Sequence, residues 1–272
     1  MTWVLDGIGH VIARYLDKPA QGYQPYTSPS DPEALRACLR PGDVLLVEGD
    51  NRIAGVIKYL TQSTWSHAAL YVGPIGDRTA EDGEPLVLVE AHIGQGVIGA
   101  PLSKYFGYHT RVCRPTGLTE EDRARVCGYA AERIGFDYDL KNIFDLMRYL
   151  LPLPVPQRWR RRMMAVGSGH PTRIICSALI AQSFECVRYP ILPKVTKVQN
   201  ESARAEILEI RHSSLYAPRD FDISPYFEVV KPTIVTGFDY RSLQWSDLAQ
   251  CGGAEAQAAT APKQPESFVP AA

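Results

Sequence analysis

The chain has 272 residues, 45% of them apolar and 22% charged, with a formal net charge of −1 at pH 7. That length can bury one large core, and the composition is that of a globular protein rather than a fibrous or disordered one. The near-zero charge excludes a global pull toward nucleic acid or an acidic surface and leaves only local patches for electrostatic targeting.

No apolar run approaches the roughly 18 residues that span a bilayer. The start of the chain is not expected to act as a signal peptide, because Asp6, His10, Arg14 and Asp17 interrupt what apolar character it has. The six cysteines are scattered, without a C-x-x-C pair, so neither a zinc site nor a disulfide framework is expected. Reduced thiols in the cytoplasm are the corresponding expectation.

Along the chain, Trp3, Val4, Ile8, Val11, Ile12 and Tyr15 fall at helical spacing and predict an amphipathic helix over 3–16, packed on the domain or lying on a membrane. Residues 19–32 read as a loop, giving an N-terminal segment of 1–32. Pro41-Gly42-Asp43 then launches the apolar strand Val44-Leu45-Leu46-Val47. A helix follows over 51–62, then strands over 67–72, 86–91, 96–98 and 111–114. Thr119 and Asp122 cap a helix over 119–134, which Gly135 ends. A further helix is expected over 140–151, stopped by Pro152, Pro154 and Pro156, with a basic insertion near 152–171. A helix from about Thr172 to Phe184 carries Cys176, and a late strand covers 226–230. The tail 251–272, rich in Gly, Ala, Gln and Pro, is expected to be disordered. Consecutive strands flanked by helices argue for an α+β catalytic domain over 33–250.

The chemistry gathers around three residues. Ile174-Ile175-Cys176-Ser177-Ala178 puts a cysteine in the first turn of an apolar helix, where unpaired N–H groups and the helix dipole favour a thiolate. On that pattern alone, a small core residue is the more frequent outcome. His67 opens the apolar strand Ala68-Ala69-Leu70-Tyr71-Val72, a rigid position at a strand mouth. Glu90 is a lone charge on the apolar strand Leu86-Val87-Leu88-Val89-Glu90, and burying it without a partner is costly. If the two strands are neighbours, Glu90 can accept from the imidazole and fix its tautomer. His92 shares a strand face with Glu90 and reads as a surface residue ahead of a second base. His170 stands on a Gly-rich loop, a poor place to hold a base.

Taken in order, Gly42-Asp43-Val44-Leu45-Leu46, Ser66-His67-Ala68-Ala69-Leu70-Tyr71-Val72-Gly73, Val89-Glu90-Ala91, Gly135-Phe136-Asp137-Tyr138-Asp139 and Cys176-Ser177 resemble the circularly permuted branch of the NlpC-type papain-like superfamily. The likeness is to its YiiX-like, or lipo-hydrolase, group, over about residues 41–190. The resemblance implies a papain-like fold with an antiparallel sheet and packed helices. It also implies Cys176 as nucleophile, His67 as base, Glu90 as orienter and Tyr138 as a substrate-binding tyrosine near the thiol. That group often carries an acidic residue where this chain has Ala178, so a contact there is lost.

Residues 158–164 form the other informative run. Arg158, Arg160, Arg161 and Arg162 interleave with Trp159, Met163 and Met164, a pattern suited either to a solvated loop or to peripheral contact with an anionic membrane. Nothing else forms a matching basic face, so no nucleic-acid partner is expected. The expected activity is hydrolysis of an amide, ester or thioester in a small molecule, lipid, acylated substrate or cell-wall peptide, with no cofactor and no metal. The alternatives are an acyltransferase with the same three residues, and a non-catalytic lipid- or peptide-binding module with an ordinary cysteine.

Overall fold

The structure, a computed structural model, describes residues 30–92, 95–136, 175–197, 206–209, 213, 216–235, 239 and 241. The helices expected over 3–16 and 140–151, the basic insertion, the tail, Tyr138 and His170 lie outside the described residues. The chain forms two compact units, Met1–Gly237 and Phe238–Ala272, and every element named here belongs to the first.

The first element, α1 (Pro32–Cys38), stands partly where a loop is expected. Its start is chemically marked: the Asp31 carboxylate accepts from the Ala34 N–H at 2.8 Å, and Pro32 occupies the first turn, where no N–H is needed. Strand β1 (Val44–Val47) follows, then α2 (Arg52–Thr61), capped by the Asn51 side chain. Strands β2 (His67–Tyr71), β3 (Leu88–His92) and β4 (Gly96–Ala100) come next. After β4 the chain makes a 3-10 turn, Leu102–Tyr105, before β5 (Thr110–Pro115). Helix α3 (Glu120–Ala131) is capped by Thr119, whose hydroxyl accepts from the Asp122 N–H, as the sequence predicts. Helix α4 (Ile175–Glu185) carries Cys176. The paired strands β6 (Lys194–Lys197) and β7 (Glu206–Glu209) are additional to the sequence reading. Helix α5 (Pro218–Asp222), strand β8 (Phe227–Val230) and helix α6 (Pro232–Val235) complete the unit.

Six strands form one sheet in the order β4-β3-β2-β1-β5-β8, with every neighbouring pair antiparallel. With its packed helices the fold is α+β, as expected. Both faces of the sheet are covered, which is why β1 is apolar at every position rather than alternating. On one face Val44, Leu46, Ala68, Leu70, Val89 and Ala91 cluster with Val126 of α3 and Leu179, Ile180 and Phe184 of α4. On the other, Leu45, Val47, Ala69, Leu88 and Val112 meet Leu35 and Cys38 of α1 and Leu102 and Tyr105 of the 3-10 turn.

One end of β1 is held by a charge lock. Asp43 is fully buried, and the Arg114 guanidinium grips it through two N–H groups at 2.9 and 2.7 Å while also donating to the Cys38 carbonyl. The forked geometry suits arginine to a carboxylate. Gly42, at φ +90°, makes the turn that lets its N–H reach the Tyr71 carbonyl at 2.8 Å.

The other end of β1 prepares the site. The β1–β2 ladder runs in full, from Val44↔Leu70 to Val47↔His67. The β2–β3 ladder pairs only Leu70↔Val89 and Tyr71↔Leu88, so β3 leaves β2 before His67 is reached.

Candidate active site

The opening between β2 and β3 receives the start of α4. Alternation along β2 sends the Val72 N–H to the Val87 carbonyl on β3 and aims the Ala68 N–H the same way. By Ala68 the strand partner is gone, and that N–H donates to the Cys176 sulfur instead. Cys176 is buried, at 4% exposure. Its sulfur lies against the His67 ring within hydrogen-bonding reach, and 3.9 Å from the Ser177 hydroxyl.

His67 Nε2 bonds the Glu90 carboxylate at 2.6 Å, leaving Nδ1 as the nitrogen for the sulfur. Glu90 has no exposed surface. A buried carboxylate without partners costs several kcal/mol, and Glu90 has three: the His67 ring, the Lys104 ammonium and the Tyr105 hydroxyl. Lys104 and Tyr105 both come from the 3-10 turn after β4.

The electrostatics follow from these contacts. Burial opposes a charged Cys176 sulfur, but the His67 imidazolium, the Ala68 N–H and the Ser177 hydroxyl outweigh it and hold the thiol below its ordinary value. For His67, burial again works against charge. The Cys176 thiolate and then Glu90 overcome it, and the ring is carried up to about 10. Burial would likewise raise Glu90, yet its bonds and attraction to His67, then Lys104, hold its carboxyl well below the usual carboxylate range. These contacts favour a thiolate on Cys176 and an imidazolium on His67, beside a Glu90 carboxylate held in its ionised form. Cys38, Cys113, Cys127 and Cys186 all go the other way, their thiols raised chiefly by burial.

A second histidine–carboxylate pair stands at the same end of the sheet. His109 Nδ1 bonds buried Glu48 at 2.9 Å, and the His109 ring lies 4.9 Å from that of Trp65. Trp65 donates from its indole nitrogen to Asp222 at 3.0 Å, and Arg111 donates to the same carboxylate at 2.6 Å. Ser66 is pinned too: its hydroxyl accepts from the Gly49 N–H at 2.9 Å, and a Cβ on Gly49 would meet that same oxygen at 2.9 Å. These contacts brace the two residues before His67.

The sequence-predicted Cys176, His67 and Glu90 are thus brought into contiguous contact, whereas Tyr138 lies outside the described residues. His92 ends β3 and is partly exposed. Sequence reasoning missed Lys104 and Tyr105. A signal for them existed, because an ionised carboxylate offers about four acceptor positions and a single imidazole leaves most of them empty. Donors returning after the next hairpin were the place to look. Among the described residues, no group of three or more His, Cys, Asp or Glu side chains is placed to hold a metal ion. Nor is any described helix long and apolar enough to cross a membrane.

Residues 38–149 match the family described as permuted papain-like amidase enzyme, YaeF/YiiX, C92 family. Over that stretch, less than half of its length, the chain is similar to the permuted papain-like family. The matched stretch holds His67, Glu90, Lys104 and Tyr105 and stops before Cys176. Among solved structures, the chain is similar to one described as metalloprotein yiiX from Escherichia coli O157:H7. The two are 16% identical, over 70% of this chain and 96% of that one, with a TM-score of 0.42. No curated protein matches the chain.

Proposed function

We propose that the protein hydrolyses an amide, ester or thioester through a covalent acyl-enzyme on Cys176. The observation that carries this reading is the contact of the Cys176 sulfur with His67, whose far nitrogen is fixed by Glu90. The thiolate adds to the carbonyl carbon, forming the S–C bond and pushing an electron pair onto oxygen. That oxyanion is met by the Cys176 N–H, in the helical turn where N–H groups lack intrahelical acceptors. One such donor is typically worth about 3 kcal/mol. The imidazolium of His67 gives its proton to the leaving amine, alcohol or thiol as the C–N, C–O or C–S bond breaks. Water then loses a proton to the neutral ring and attacks the acyl carbon. The thiolate departs, and the ion pair is restored.

The test is an electrophilic acyl-type activity probe. Wild type is expected to be labelled at Cys176, with labelling lost in Cys176→Ala and strongly reduced in His67→Ala. Labelling of His67→Ala at the wild-type rate would overturn the reading. Metabolites that accumulate in a Cys176→Ala strain then identify the substrate.

A lipid or acylated substrate is favoured by the run Arg158, Trp159, Arg160, Arg161, Arg162, Met163, Met164, which precedes Cys176 in the chain. Each cation near an anionic leaflet is worth about 1 kcal/mol. The expected result is salt-sensitive co-sedimentation with anionic vesicles, lost when the four arginines are changed to serine. Equal pelleting of the two proteins, or none of either, would remove the membrane part and leave the chemistry untouched.

A further inference from the structure

Glu90 carries one more cation than a base-orienting carboxylate needs. Resting on the proposed thiol mechanism, we propose that Lys104 is a positioning residue of the same site: it keeps Glu90 ionised when His67 is neutral, and limits how tightly Glu90 holds the proton on His67.

The argument starts from the balance of charge around the carboxylate. In the resting site Glu90 faces the imidazolium of His67 from β2 and the ammonium of Lys104 from the 3-10 turn, with the Tyr105 hydroxyl as a neutral third donor. Once His67 has protonated the leaving group, one of the two cations is gone. Glu90 has no exposed surface, and a buried carboxylate left beside a neutral ring would tend to take a proton itself. Were it to do so, the acceptor that fixes the His67 tautomer would be lost at the moment His67 must accept a proton from water. Lys104 is the remaining cation in contact with Glu90 among the described residues, and it prevents this.

The same contact acts on the ion pair. A second positive charge on the carboxylate weakens the hold of Glu90 on the imidazolium, so His67 gives up its proton more readily. The groups that face His67 are the Cys176 sulfur from α4, Glu90 from β3 and the Tyr105 ring at 6.1 Å. Tyr105 itself faces Glu90, Cys176 and Tyr108. The Lys104 ammonium also lies 5.4 Å from the centre of the Tyr105 ring, and its side chain is 35% exposed. It therefore reaches the carboxylate from the water side without burying a full lysine.

The experiment reads the rate of Cys176 alkylation by iodoacetamide against pH in the full-length protein, with circular dichroism to confirm folding. The wild-type rate is expected to climb in two steps, the first as the thiolate forms and the second as the imidazolium loses its proton and frees that thiolate. Lys104→Arg keeps the upper step in place. Lys104→Met and Lys104→Gln move it to higher pH, by about half a pH unit or more for a charge one contact removed. Folded Met and Gln variants whose upper step matches wild type, or moves down, would overturn the proposal. So would failure of both neutral variants to fold while the arginine variant folds, since that marks a purely structural lysine. Should wild-type Cys176 react no faster than the other thiols and ignore His67→Ala, the proposed function falls as well. An activated Cys176 indifferent to Lys104 sinks this inference alone.

Discussion

The Ala68 N–H donates to the Cys176 sulfur because β3 has parted from β2 one residue before it is needed there. A backbone donor that would have closed a ladder rung is turned onto the nucleophile, so the break in the sheet and the activation of the thiol are one feature. It also sets the expected reactivity. Among the six thiols, Cys176 is expected to alkylate fastest with iodoacetamide at neutral pH, and His67→Ala to slow it on the order of tenfold or more. An unassisted thiol is only a few per cent thiolate at pH 7. Mass-spectrometric mapping of the labelled cysteines checks this, and labelling that is equal at Cys38, Cys113 and Cys176 would contradict it.

Removing the carboxylate has a different signature. Glu90→Gln leaves the Lys104 ammonium, the Tyr105 hydroxyl and the His67 ring around a neutral amide. Breaking a buried ionic network from one side costs about 3–5 kcal/mol, and the lower end is expected because Lys104 already reaches water. Urea unfolding measures this loss. The same variant is expected to move the upper step of the alkylation profile to lower pH, because the imidazolium has lost an anion. A shift in the opposite direction would mean that Glu90 does not stabilise charge on His67.

A control lies at the far end of β1. Arg114→Met strips the forked donor from buried Asp43 and is expected to cost about 3–5 kcal/mol in urea unfolding. The full length of β1 separates that lock from the Val47↔His67 pairing. The alkylation profile of Cys176 in the folded variant is therefore expected to match wild type. A matched loss of reactivity would show that the lock and the site are coupled through the strand.

What the sequence revealed followed from residues that contradict their surroundings. Val44-Leu45-Leu46-Val47 reads as a strand buried on both faces because no position is polar. Glu90 and His67 stand out because each is polar where its strand is not, and Cys176 because it opens an apolar helix. Lys104 and Tyr105 carry no such contradiction. Pro101-Leu102-Ser103-Lys104-Tyr105 looks like an ordinary connection, and its contact with Glu90 exists only because β3 and β4 fold back as a hairpin. Helix α1 was legible and overlooked: Asp31-Pro32-Glu33 is a cap, a first-turn proline and a first-turn acid in succession. Strands β6 and β7 are four residues each with charged ends, too short for periodicity to separate them from loops.

The ion pair also ties stability to pH, with a sign that can be worked out. His67 is raised from about 6.5 to about 10, so its contribution to stability is complete below its unfolded value and is lost as pH rises through about 10. Glu90 is depressed from about 4.5, so its contribution is present above that value and is lost only as pH falls through its lower folded one. The two contributions are therefore both complete between about 4.5 and about 6.5, and that of His67 declines from there toward about 10. After burial, which acts against the charged ring, the Cys176 thiolate is the largest influence on His67 and the one that lifts it most. Cys176→Ala removes that anion and leaves Glu90 alone to hold the imidazolium. The alkaline loss of the His67 contribution is therefore expected to be complete at lower pH in Cys176→Ala than in wild type, while the acid side is little changed because Glu90 keeps Lys104. Urea midpoints measured from pH 4 to pH 10.5 on both proteins test this. Parallel curves across the alkaline range would mean that the sulfur carries no charge in the folded protein, and the thiolate–imidazolium description would have to be withdrawn.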